Sequence, residues 1–168
     1  FIRVTDFGPM AENGAIRIED LLHFHLATGT TQDVVLEAYA ENAARLGHLG
    51  RRTEIAGDYT FSAEKPYVLF DTILVGGKMT IEAGARLYMH QGASLVALGD
   101  VEALGTMDKP IYIRPDRMDN LFDSVPYLYA AGGWNGFYLQ SEEAKNYTFS
   151  YVEIVSGNVG MSCVSTGK

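Results

Sequence analysis

The chain has 168 residues and 47% hydrophobic content, enough for a packed core and against wholesale disorder. Its 13 basic and 21 acidic residues, net −8, argue against a nucleic-acid partner: phosphate binding needs clustered Lys and Arg, and the only close pairs are Arg51–Arg52 and Arg114/Arg117. No run approaches the roughly 18 apolar residues of a membrane span, and the single cysteine, Cys163, rules out an internal disulfide framework or a Cys-based zinc site.

Residues 1–46 hold two strand-like runs. After the loop-like "DFGPMAENG", "AIRIEDLLHFHLATG" alternates from Ile16 to a Thr-Gly turn, and "QDVVLEAYAENA" alternates again. The alanine-rich "EAYAENAARLGHLG" also suits a short helix, but the β-branched lead-in favours a strand. A small antiparallel β segment is therefore predicted here. His23 and His25 share one strand face at a spacing that can bind a metal, yet no third ligand accompanies them and no metal site is assigned. Residues 47–66 are polar, contain glycine and end in proline, which predicts a connector.

From Tyr67 the pattern changes to short apolar phrases closed by glycines. Three columns emerge: Thr80–Ala83 with Asp100–Ala103 and Tyr151–Ile154; Leu87–Met89 with Ile111–Ile113 and Val159–Met161; Leu95–Ala97 with Phe137–Leu139. Neighbouring members of the first two columns lie 20 and 24 residues apart, and later gaps are longer because 19 residues, 115–133, interrupt the series. Strands this short at this period, with glycine turns and no helix between them, predict a solenoid. The fold class is all-β: a right-handed parallel β-helix of three short strands per coil over residues 67–168. Within each phrase the apolar residues sit two apart, Ile81/Ala83, Leu87/Met89 and Ile111/Ile113 among them, so they line the interior. Gly84, Gly92, Gly99, Gly105 and Gly157 fall at the corners. The stacking expected is Ile81 over Val101 and Leu87 over Ile111. The chain opens at Phe1 without an initiator Met and stops at "VSTGK" after an apolar run, so the coil is expected to be truncated there.

The stretch "MTIEAGARLYMHQGASLVALGDVEALGTMDKPIYIRPDRMDNLFDSVPYLYAAGGWNGFYLQS" resembles the right-handed parallel β-helix proteins of the Bacteroidetes type, over roughly residues 66–163. Its most specific parts are "RPDRMDNLFDSVPY" and "GGWNGFYL". The first 46 residues resemble the end of the immunoglobulin-like module that precedes the coil in that family. The resemblance implies a secreted or outer-membrane lipoprotein anchored by a lipid upstream of this segment, and it supplies no catalytic residues.

The interruption 115–133 is the longest departure from the coil, and loops on rigid scaffolds often carry function. Asp116, Arg117, Asp119, Asp123, Tyr127, Tyr129 and Trp134 are the candidate ligand-binding residues: rings stack on sugar faces, and acids hold hydroxyls or Ca²⁺. The alternative is that the loop's apolar residues pack onto the coil while its arginines pair with its aspartates. Polysaccharide or a surface protein is the expected partner, with no cofactor other than a conceivable Ca²⁺. A polysaccharide lyase or glycoside hydrolase, with acids and an arginine on this loop, is the enzymatic alternative; a plain structural spacer is the third. Glu82, Glu102 and Glu153 share an outward column, a predicted acidic stripe offset by Lys78 and Arg86. His90 is expected near Arg114 on the surface, and Cys163 in the core beside Met161.

Overall fold

The structure, a computed structural model, describes residues 16–40, 42–122 and 124–165. The chain divides into two units, Phe1–Asn42 and Ala43–Lys168. Among the described residues, no helix is long and apolar enough to cross a membrane.

In the first unit β1 (Ile16–His25) and β2 (Thr31–Ala40) pair antiparallel, with Leu21 opposite Val35 and Leu22 opposite Val34. Gly29, at φ 81, and the Leu26 amide donating to the Thr30 carbonyl at 2.9 Å close the turn. The alternation read in both runs is thus paired as an antiparallel sheet, and the alanine-rich run carries strand rather than helix.

The second unit is a parallel β-solenoid. Its strands are β3 (Ala44–Gly47), β4 (Thr53–Ile55), β5 (Tyr59–Phe61), β6 (Tyr67–Phe70), β7 (Thr72–Val75), β8 (Met79–Ile81), β9 (Arg86–Met89), β10 (Ser94–Ala97), β11 (Val101–Leu104) and β12 (Ile111–Pro115). After these come β13 (Asn120–Phe122), β14 (Val125–Pro126), a 3-10 helix (Tyr127–Tyr129), β15 (Trp134–Ser141), β16 (Tyr147–Ser150), β17 (Val152–Ile154) and β18 (Gly157–Ser165). Three parallel sheets result: β3-β6-β9-β12-β17, β4-β7-β10-β15-β18 and β5-β8-β11-β16. Each successive triplet of strands is one turn, about five in all, and the rest of each turn is the crossover that a parallel pair requires.

Stacked residues repeat at the strand spacing of about 4.8 Å, which is why the inward positions are apolar turn after turn. Tyr67, Leu87, Ile113 and Ile154 form one inward column, Ile73, Leu95, Phe137 and Met161 another, and Tyr59, Met79, Val101 and Tyr147 a third. In the middle turns these side chains are sealed: Ile73, Met79, Leu87, Leu95, Ile113 and Phe137 are all 0% exposed.

Four sequence expectations are corrected by this topology. The solenoid begins at Ala44, since residues 47–66, read as a connector, carry β4 and β5; their polar residues face outward or fill corners while Ile55 and Phe61 pack inward. The register is shifted by two: Ile81 lies beside Ala103 and Val101 beside Met79, while Leu87 lies beside Ile113. A shift of two preserves the inward face, because the strand period is two. Tyr151–Ile154 and Val159–Met161 each belong one sheet further on, in the strands β17 and β18. Glu82, Glu102 and Glu153 therefore do not stack: Glu102 sits beside Thr80 and bonds Lys78 at 2.7 Å, Glu82 accepts the Ala63 amide at 3.0 Å, and Glu153 sits beside Tyr112. The third column, Leu95–Phe137 and Ala97–Leu139, is paired as predicted.

The glycines act in two ways. Gly84 and Gly92 take φ 87 and 79 at corners, as expected of positions closed to most side chains. Gly99 and Gly105 instead permit contact: a Cβ there would stand 2.2 Å from the Gly77 carbonyl oxygen and 2.5 Å from that of Tyr151. Cys163, predicted to be core, is exposed, since among the described residues Leu139 covers it from one side only.

Candidate binding site

The insertion leaves the coil after β12 and returns at β15, replacing one corner of the fourth turn. Pro115 is still buried in the core column beside Met89, and the Asp116 amide still bonds the Met89 carbonyl at 3.0 Å, so the departure point is fixed. β13 and β14 then pair antiparallel, Asn120 beside Pro126 and Phe122 beside Val125. Pro126, at φ −59, leads into the 3-10 helix, where proline's fixed φ is already right. The returning chain is fastened to the fifth turn: the Ser156 hydroxyl donates to the Leu128 carbonyl, and the Gly133 amide donates to the Ser156 carbonyl at 2.8 Å.

A clamp of three residues holds the insertion together. Arg117 donates through Nε to Asp119 Oδ1 at 3.0 Å and through Nη2 to Oδ2, while its guanidinium lies 3.9 Å from the centre of the Tyr127 ring. Such a two-toothed, stacked arrangement is what a planar guanidinium does and an ammonium does not. The Arg117 bond holds the Asp119 carboxyl below the usual carboxylate range, and the same bond, with Tyr127 beside it, raises the Arg117 guanidinium. The Asp119 carbonyl takes the Tyr127 amide at 2.9 Å, so backbone and side chains close one ring. Around this clamp the apolar side chains point to water: Phe122 is 69% exposed and Tyr129 77%, with Leu121 and Val125 also exposed.

The predicted site residues sort into separate places. Arg117, Asp119 and Tyr127 come together, with Tyr129 on the same short helix. Asp116 turns back to the coil, where its Oδ2 meets His90 Nδ1 at 2.6 Å; His90 in turn stacks on Phe70 at 4.8 Å, and Arg45 covers the Phe70 ring at 4.6 Å. Trp134 is no surface platform: it is 0% exposed and donates Nε1 to the Val155 carbonyl at 2.8 Å, which corrects its assignment as a ligand-stacking ring. Asp123 lies outside the described residues. Among the described residues no three His, Cys, Asp or Glu side chains gather as metal ligands would. In the hairpin, His23 meets Asp33 at 2.6 Å and His25 meets Thr31 at 3.1 Å, each across the strand pair.

Two features escape the sequence. The His90–Asp116 contact follows from the true register, Pro115 beside Met89, whereas the predicted register set His90 beside Arg114. Arg114 instead bonds the Tyr88 hydroxyl at 3.2 Å. Nor does the sequence reveal the exposure of Phe122, since "NLF" is as long and as apolar as three-residue strands that do stack. Compared with protein-family models, with curated proteins and with solved structures, this chain matches none.

Proposed function

We propose that this chain is a non-catalytic binding module, a rigid β-solenoid that holds the insertion 116–130 out to a protein partner. The observation that carries it is the outward apolar set Leu121, Phe122, Val125 and Tyr129 on a hairpin braced by Arg117 and Ser156. Large apolar side chains clustered in water are unfavourable for a free chain and are the usual core of a recognition patch. Bracing matters because ordering a loop on binding consumes affinity. Among the described residues, the acids a lyase or hydrolase would use on this loop are engaged, Asp116 with His90 and Asp119 with Arg117, which supports a binding role over cleavage. With Trp134 in the core, the insertion favours a protein surface over a sugar face. A secreted or cell-surface setting, with a lipid anchor upstream and an immunoglobulin-like neighbour, follows from the Bacteroidetes-type resemblance and is part of the same proposal.

The test is a photo-crosslinking residue at position 129 or 122, introduced in the producing cell. One discrete protein adduct is expected, lost when Arg117→Ala loosens the hairpin. Adducts at neither position, together with carbohydrate-array binding abolished by Tyr129→Ala, would overturn the protein assignment.

A further inference from the structure

Toward the other end of the solenoid the first turn, with Phe70 of the second, forms a concave cavity of about 1150 Å³. Arg45, His48, Arg51, Arg52, Glu54 and Phe70 are among its lining residues. In a chain of net charge −8, this lining brings three arginines and a histidine against one carboxylate. That carboxylate is already taken, for Glu54 pairs with Arg52. Arg45 and Arg51 have no carboxylate partner among the described residues.

Arg45 is held against a ring, and Arg51 stands on a closed turn. Arg45 lies over the Phe70 ring at 4.6 Å, and Phe70 is stacked from its other neighbours by His90. Arg51 is carried on a turn in which its amide bonds the His48 carbonyl at 3.2 Å. Gly47, at φ 87, fixes the entry to that turn; a Cβ there would stand 2.4 Å from the Phe70 carbonyl oxygen, so no larger residue replaces it. A guanidinium held on a ring without a counter-ion recognises carboxylate or sulfate with little ordering cost, and Arg51 on the same lining adds a second cation.

We propose that this cavity binds an acidic oligosaccharide, its arginines taking the carboxylate or sulfate groups. The cavity opens to solvent and has room for several linked units. A densely charged polyanion such as nucleic acid is repelled by the acidic body of the chain. Among the described residues β3 and β4 are the outer strands of their sheets, so the turn also carries strand edge beside its arginines. A peptide ligand would use such an edge. The mixed lining fits a sugar acid: Leu49, 67% exposed, offers apolar contact for ring C–H faces beside the cations.

Isothermal titration of the whole chain with tetragalacturonate, with a sulfated tetrasaccharide, with a neutral tetrasaccharide and with poly-glutamate tests this. Binding of the uronate or the sulfated ligand is expected, weakening as salt is added. Arg51→Gln and Arg45→Ala should each weaken it about tenfold, the loss typical of one charge-assisted hydrogen bond, while Phe122→Ser in the insertion changes nothing. Arg51→Gln, on an exposed turn, keeps the fold and so guards against a misfolded Arg45→Ala. No binding of either acidic sugar, equal binding of the neutral sugar or of poly-glutamate, or full affinity in the folded Arg45/Arg51 double variant would each overturn the proposal.

Discussion

Ile111 and Ile113 are fully buried, whereas Leu121 and Phe122, a few residues further on, are 42% and 69% exposed. The side chains are equally apolar and both pairs sit on short strands. What differs is company. β12 lies between β9 and β17 in register, so each inward residue is covered from above and below, while among the described residues β13 has only the two-residue β14 beside it. The hairpin β1–β2 falls on the same side of the divide, with Leu22, Phe24 and Val34 between 43% and 47% exposed. Burial in this protein is thus a property of stacked turns and not of hydrophobic sequence, and an apolar strand left unstacked is available to something else.

The largest expected effect tests the stacked side of that contrast. Leu87→Ala removes a sealed side chain between Tyr67 and Ile113 and should cost about 3–5 kcal/mol in denaturant unfolding, against within about 0.5 kcal/mol for Phe122→Ala. Similar costs at both positions would break the comparison. Backbone contact between turns gives the next effect. Gly105→Ala drives a methyl into the Tyr151 and Ser150 carbonyl oxygens, 2.5 and 3.0 Å away, and should cost about 2 kcal/mol. Gly160→Ala meets nothing within 4 Å and should leave the melting temperature nearly unchanged. Comparable in size is Trp134→Phe, which leaves the Val155 carbonyl without its donor, a loss of about 1–3 kcal/mol visible as a lower melting temperature. Crosslinking through position 129 should survive it, because Trp134 belongs to the core and not to the contact surface.

Most of the solenoid was legible because its cause is repetitive: an inward residue at every second position, turn after turn. The third column was read with its register intact, Leu95 beside Phe137 and Ala97 beside Leu139. Register elsewhere slipped by two, an error to which alternation is blind, as positions two apart face the same way. Glycine was the other guide, and it misled where the chain turned without it. Tyr151 and Ser156 hold φ of 49 and 59, so the strand Tyr147–Ser150 passed unseen and β17 and β18 were each placed one sheet early. The candidate site was legible in composition only. Arg117, Asp119 and Tyr127 share a short segment and meet, but whether Trp134 faced solvent depended on a fifth turn whose Val155 carbonyl receives it.

The smallest effect concerns the clamp, and its sign follows from the chemistry of the pair. Asp119 is held below its ordinary pKa by Arg117, so the folded insertion prefers the carboxylate more than the unfolded chain does. The stabilisation is therefore complete above the unfolded value near 3.9 and disappears as pH falls through the lower folded value. Nothing changes across the neutral range. The Tyr127 amide, bonded to the Asp119 carbonyl at 2.9 Å, reports this locally. Its proton shift, followed by NMR, should stay flat from neutral pH down to about 4 and move only in stronger acid, while amides between the turns, such as that of Leu98 on the Val75 carbonyl, remain still. Asp119→Asn should abolish the acid step, and concentrated salt should mimic it in part, as both partners are substantially exposed and exposed ion pairs are screened. A shift moving together with the coil amides would mean that the insertion shares the stability of the turns, and the division between stacked and unstacked strands would fail.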